Sequence, residues 1–197
     1  MDEIDASYRE WVSNGRPFHD MGVPPGVKLW VIRDYARHFG LRVFVETGSY
    51  KGDSISALLP YFDDLYSVEL GQHLYEFCAW RFADAPTVHL HLGDSPGFLR
   101  EMLRALERPA LFYLDAHWSM EDTARGDTDT PIVAELEVLR ELDPPNVIII
   151  DDARLFGSDP AYPTVDWAMD YVRDAFRGYR TEVVADEIII APAGTSV

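Results

Sequence analysis

The run Val147-Ile148-Ile149-Ile150 has no polar position, so a strand built from it must be covered on both faces. Only a sheet held between two layers offers that. Comparable apolar segments lie at 41–46, 65–70, 88–93 and 110–115, and the one above continues to 151. Helical spacing fills the intervals, near 54–59, 72–82, 96–106 and 132–142. This alternation predicts an open α/β sheet with parallel strands. Upstream, Leu29, Ile32, Tyr35, Ala36 and Phe39 fall on one helical face that Gly40 ends. Downstream, a helical pattern over 165–176 precedes two further strand candidates, 180–184 and 187–191. Only Ala185-Asp186 separates them, which predicts a hairpin. The expected fold is a doubly wound, mostly parallel seven-stranded sheet with a C-terminal antiparallel hairpin. It forms a single domain over 1–197, with residues 1–26 as an N-terminal arm holding Tyr8, Trp11 and Phe18.

Charge narrows the partners. With 17 basic and 34 acidic residues the chain carries a formal charge of −17. Nucleic-acid backbones and anionic membrane surfaces reward Lys and Arg, so neither is expected as the main partner. A small molecule is, and whether the chain forms a homo-oligomer stays open. Cys78 is the only cysteine, which rules out an intrachain disulfide, and its helical, apolar neighbourhood predicts a buried thiol rather than a nucleophile. The acidic start, Met1-Asp2-Glu3-Ile4-Asp5, lacks the basic-then-apolar order of a signal peptide. The expected setting is cytoplasmic.

In an open α/β sheet, ligands bind beyond the carboxyl ends of the strands. Those ends carry Glu46, Glu69, Asp94, Asp115, Asp151 and Asp152, all acids. After the first strand comes Glu46-Thr47-Gly48-Ser49-Tyr50-Lys51-Gly52-Asp53-Ser54. Gly48 and Gly52 permit close backbone approach to a ligand, although an ordinary strand-helix turn would look the same. The segment has neither the Gly-Lys-Ser/Thr ending of a phosphate loop nor Gly-x-Gly-x-x-Gly. Glu69, about twenty residues past the turn, is placed to accept a ribose diol. Asp94 and Ser95 suit an adenine edge, the cap of the next helix, or both. Asp115, Asp151 and Asp152 converge if their strands are neighbours. Three carboxylates repel one another unless some keep a proton or a cation joins them, and an oxygen-seeking divalent ion such as Mg²⁺ suits such a group. His117, directly beyond Asp115-Ala116, suits a general base. Residues 119–131 form a long polar loop, expected to act as a lid.

Glu46, Gly48, Tyr50, Gly52 and Ser54 together resemble the cofactor motif of class I S-adenosylmethionine-dependent methyltransferases. The chain is similar in particular to the metal-dependent O-methyltransferases of the catechol and macrolide-sugar types. Leu114-Asp115-Ala116-His117-Trp118 resembles their fourth-strand metal motif, Ile150-Asp151-Asp152 their fifth-strand acidic pair, and Gly93-Asp94-Ser95 their adenine-side turn. The resemblance covers roughly residues 41–152 and implies a Rossmann-like methyltransferase fold. It implies that Glu46, Gly48, Ser49, Tyr50, Gly52, Ser54, Glu69, Asp94 and Ser95 bind S-adenosyl-L-methionine. Asp115, Asp151 and Asp152 would bind Mg²⁺, and Asp115 and His117 would be catalytic. Tyr50 stands where the more usual motif has its middle glycine, and the catechol-type lysine base has no counterpart beside His117. The implied activity is Mg²⁺-dependent O-methylation of a small hydroxylated molecule. Metal-independent N- or C-methylation, a metal-dependent hydrolase or lyase, and a non-catalytic binding module are the alternatives.

Overall fold

The computed structural model describes residues 2–18, 22–116 and 130–194. His117, Trp118 and loop positions 119–129 lie outside them, so the expected base and most of the expected lid do as well. Seven strands, β1 (Val43–Thr47), β2 (Asp64–Glu69), β3 (Val88–Leu92), β4 (Ala110–Leu114), β5 (Val147–Ile150), β6 (Tyr179–Val184) and β7 (Glu187–Pro192), form one sheet. Their order is β3-β2-β1-β4-β5-β7-β6. The first five run parallel; β7 lies antiparallel to β5 and β6. The expected fold class is therefore present, hairpin included.

Strand residues alternate between two apolar layers. Val45, Phe112, Leu114, Ile148 and Ile150 face α5 (Ser95–Ala105), α6 (Ile132–Leu139) and α7 (Val165–Ala175). Phe44, Leu111, Tyr113, Val147 and Ile149 face α2 (Pro25–Phe39), α3 (Asp53–Leu58) and the end of α4 (Gln72–Arg81). This two-sided burial is why the strands read as unbroken apolar runs. Cys78 belongs to the second layer, fully buried, with Sγ 3.2 Å from the Tyr50 carbonyl oxygen. Burial pushes its thiol up to about 11, which agrees with an unreactive cysteine.

Two differences from the sequence reading matter. The N-terminal arm contains a helix, α1 (Glu3–Ser13), capped by Asp2, whose carboxylate accepts from the Asp5 N–H at 2.8 Å. It packs along α2: Tyr8 stacks on Trp30 with ring centres 3.6 Å apart, and Arg33 pairs with Asp2 and Asp5. The spacing of Ile4, Tyr8 and Trp11 carried that signal. Second, β1 runs one residue beyond Glu46, so this acid lies inside the strand rather than at its end.

Thr47 pairs with Val68 on one side and Leu114 on the other, and Leu114 with Ile150. The residues that follow these strands therefore emerge side by side at one edge, where β1 and β4 diverge to opposite halves of the sheet. Phe112, fully buried at the centre, anchors that edge. Phe112→Ala should cost about 3–5 kcal/mol in denaturant unfolding, with unchanged cooperativity; a loss under about 1 kcal/mol would contradict this packing.

Candidate active site

The turn after β1 is fixed from several sides. The Gly48 and Ser49 N–H groups both donate to the Val68 carbonyl, at 3.0 and 3.1 Å. Gly48 has φ +88°, and a Cβ there would stand 2.7 Å from the Asp115 carbonyl oxygen. Gly52, at φ +76°, would meet the Phe82 ring at 2.5 Å. Tyr50 takes a left-handed backbone, φ +45°, which costs a residue with a Cβ something glycine is spared. Its N–H donates to Glu69 Oε2 at 2.9 Å, and Gly71 N–H donates to Glu69 Oε1 at 2.8 Å. Each carboxylate oxygen keeps a further lone pair for another donor.

Glu46 points into the structure. It accepts from Ser67 Oγ at 2.8 Å and from Ser54 Oγ, tying β1 to β2 and to α3. Burial raises its carboxyl to about 8, helped by Asp115 and Glu69 and opposed by the two serines. Glu46 thus organises the turn from beneath. Ser49 Oγ lies 2.7 Å from Ser67 Oγ. Asp94 caps α5 by accepting from Gly97 N–H at 2.8 Å, and Ser95 is buried at the first turn of that helix.

The three aspartates do gather. Asp115 N–H continues the ladder to the Thr47 carbonyl at 3.2 Å, and Asp151 N–H to the Leu114 carbonyl at 3.0 Å. One oxygen from each of Asp115, Asp151 and Asp152 lies within 4.8 Å of the others. In number and hardness these donors suit Mg²⁺. A cation, however, is already bonded to two of them. Lys28 Nζ stands 2.6 Å from Asp151 Oδ1, 2.7 Å from Asp152 Oδ1 and 4.0 Å from Asp186 Oδ2. Arg154 bridges Asp152 and Asp186 and closes a ring of alternating charge. A divalent ion on the same oxygens would face Nζ across a few ångström, where even two unit charges at 4 Å repel by roughly 4 kcal/mol at an effective dielectric of 20. As arranged, the site does not fit Mg²⁺.

The charge balance shows in the acids. Burial would raise Asp152, but Lys28 and Arg154 outweigh it and hold its carboxyl below the usual range. Asp151 moves up, because burial and the neighbouring Asp115 and Asp152 exceed the pull of Lys28. Burial works against the charge on Lys28, yet Asp151 and Asp152 raise it well above an ordinary lysine, so it is a fixed cation and not a base. Asp152 is left-handed, φ +57°, and its N–H donates to Asp151 Oδ1 at 2.7 Å.

Sequence reasoning missed Lys28, Arg154 and Asp186, and two buried glutamates. Glu187, at the start of β7, has no hydrogen-bond partner on either carboxylate oxygen among the described residues, and burial beside Asp151 raises it strongly. Glu135, on α6, is raised to about 7 by burial and Asp115, against hydrogen bonds from Ser95 and Thr47. Its Oε1 lacks a partner among the described residues. It lines a small recess, partly open to solvent, with Asp115, Asp151, Thr130 and Tyr162. Helical burial of an acid was the only available signal: Glu135 follows Ile132 by three positions and sits on the apolar face.

No protein-family model and no curated protein matches the chain. Solved structures do match. The O-methyltransferase TomG of Streptomyces achromogenes, involved in tomaymycin synthesis and bound to S-adenosylmethionine, is 20% identical with a TM-score of 0.61, over 98% of this chain and 90% of its own. The methyltransferase PaMTH1 of Podospora anserina, bound to S-adenosylhomocysteine, is 15% identical with a TM-score of 0.60, over 98% and 88%. A Bacillus cereus O-methyltransferase, also bound to S-adenosylhomocysteine, is 16% identical with a TM-score of 0.58, over 96% and 90%. The chain shares their fold. No helix among the described residues is long and apolar enough to cross a membrane.

Two measurements probe this geometry. Gly48→Ala should destabilise by at least about 1–3 kcal/mol in urea, from the left-handed backbone and the contact with the Asp115 carbonyl; neutrality would mean that the turn is looser than described. Glu46 binds its proton more tightly folded than unfolded, so its contribution is fully present below about pH 4.5 and is lost as pH rises towards 8. The melting temperature of Glu46→Gln relative to the unaltered protein should therefore rise from pH 5 to pH 8. A pH-independent difference would contradict a buried, neutral Glu46.

Proposed function

We propose that this chain is an S-adenosylmethionine-dependent methyltransferase that methylates an oxygen of a small hydroxylated molecule. The observation that carries the reading is the β1 turn, where Gly48 leaves no room for a Cβ and Glu69 keeps lone pairs beside it. It stands beyond the carboxyl ends of the strands, where open α/β sheets bind ligands, and solved structures of similar fold hold S-adenosylmethionine or S-adenosylhomocysteine. The cofactor would supply an electrophilic methyl carbon, leaving the protein to align an acceptor with it.

On this reading Glu69 accepts the ribose hydroxyls while the Tyr50 and Gly71 N–H groups hold its carboxylate still. Asp94 and Ser95 flank the adenine. Gly48, Ser49 and Gly52 bring the backbone close to the amino-acid end, and Glu46 with Ser54 braces the turn. The open recess between Asp115, Glu135 and Tyr162 receives the hydroxyl end of the acceptor. Its acid-rich walls favour a ligand offering hydroxyl donors and disfavour a phosphorylated one, which counts against the hydrolase alternative. Asp115 accepts a hydrogen bond from a second hydroxyl of the acceptor and so orients it; His117, two residues on in the sequence, would receive the proton of the reacting hydroxyl. Magnesium held by Asp115, Asp151 and Asp152 is the other form of this reading, and it requires Lys28 to leave two aspartates. The ion pairs of Lys28 favour the form without metal, which leaves N-methylation of an amine acceptor as the second reading.

Isothermal titration with S-adenosylhomocysteine tests the proposal. One site per chain is expected, and Glu69→Ala should weaken it by about tenfold or more, or about 1.4 kcal/mol, with the circular dichroism unchanged. No heat at millimolar ligand would remove the methyltransferase reading.

A further inference from the structure

We propose that the Lys28 ammonium is the resident cation of the acidic centre, standing where a divalent ion would otherwise sit and making the centre independent of metal. The argument is geometric. Lys28 Nζ makes hydrogen-bond contacts of 2.6 and 2.7 Å to oxygens of Asp151 and Asp152, two of the three residues whose donor atoms gather within 4.8 Å. An ammonium offers three donors spread about one point, much as a small ion is met by several oxygens.

The lysine is also built in. It lies on α2, one turn from the helix start, and its side chain is only 14% exposed. Val27 and Val31, beside it on the helix, are buried, which fixes the backbone from which the lysine stem extends. On the far side, Arg154 joins Asp152 to Asp186, which sits in the turn between β6 and β7. The Arg154 N–H donates to Asp186 Oδ1 at 3.0 Å, and the Ala153 N–H donates to the Asp186 carbonyl at 2.8 Å. Asp186 completes the surroundings of Nζ at 4.0 Å. Three segments distant in sequence, α2, residues 151–154 and the β6–β7 turn, therefore converge to hold one positive charge at the end of β5. A merely incidental surface ion pair would have none of these supports. Lys28 fixes the directions of Asp151 and Asp152 and sets the net charge beside Asp115; it acts through them as a positioning residue.

Manganese binding, followed by electron paramagnetic resonance on protein stripped with chelator, tests the proposal directly and does not depend on the methyltransferase reading. The unaltered protein should show no specific Mn²⁺ site tighter than about 1 mM. Lys28→Ala should gain one site per chain, at least about tenfold tighter, and Lys28→Ala with Asp151→Asn should lose it again. Lys28→Arg, which keeps the charge, should gain none. Mg²⁺ should raise the melting temperature of Lys28→Ala and leave that of the unaltered protein unchanged. Titration with S-adenosylhomocysteine in parallel reports the cofactor pocket separately, so a failed methyltransferase reading appears there and nowhere else. A tight Mn²⁺ site in the unaltered protein that Asp151→Asn removes would overturn the proposal, whether or not Lys28→Ala folds. So would a folded Lys28→Ala that gains no site.

Discussion

Crowded negative charge at the carboxyl edge of the sheet is the constraint to which the rest of this molecule answers. Asp115, Asp151 and Asp152 are brought together by strand register, and Asp186 is added by the last hairpin. Desolvated carboxylates at this spacing do not stay ionised on their own. The molecule meets the problem in two ways. Lys28 and Arg154 balance part of the charge, and the deeper acids, Glu187 and Glu135, are shifted towards the protonated form. Removing one partner from a buried ionic group of this kind costs about 3–5 kcal/mol, much more than a surface pair is worth.

The same edge carries the glycine turn, and the two regions are joined by packing and by a backbone hydrogen bond from Asp115 to Thr47. Gly48 lies against the Asp115 carbonyl, so the backbone that would face a cofactor and the backbone that presents the first aspartate touch each other. Glu46 and Ser67 tie β1 to β2 beneath, and Glu69 ties Tyr50 to the start of α4. A ligand settling against the turn therefore meets a surface whose parts are already in register with the acid cluster. That is preorganisation achieved with strand pairing and a few buried hydrogen bonds.

How far this was legible differs by residue. The unbroken apolar strands dictated a two-sided sheet, and the two-residue Ala185-Asp186 link dictated the hairpin. The rule that function gathers beyond strand ends found Asp115, Asp151 and Asp152, because it needs only the strands and their order. The same rule misread Glu46, which lies one residue inside β1 and is a support rather than a rim acid. Lys28 was invisible for a different reason. On a helix whose apolar face was clear, it read as an ordinary polar position, and its partner Asp152 is 124 residues away. Ion pairs across such separations leave no periodicity for a sequence to display. The α1 helix left a signal in Ile4, Tyr8 and Trp11, which its aromatic content obscured.

The placement of Lys28 reaches back to the first helices. Neither α1 nor α2 adds a strand, and a chain starting at β1 would still contain all seven. Yet α2 brings the lysine, and α1 braces α2 through Tyr8, Trp30 and Arg33. Such a shortened chain would lose its counterion and also the cover that Val31, Ile32, Tyr35 and Ala36 give Phe44, Leu111 and Ile149. The leading helices thus do two jobs with one element: α2 seals a face of the sheet and carries a positive charge to its edge.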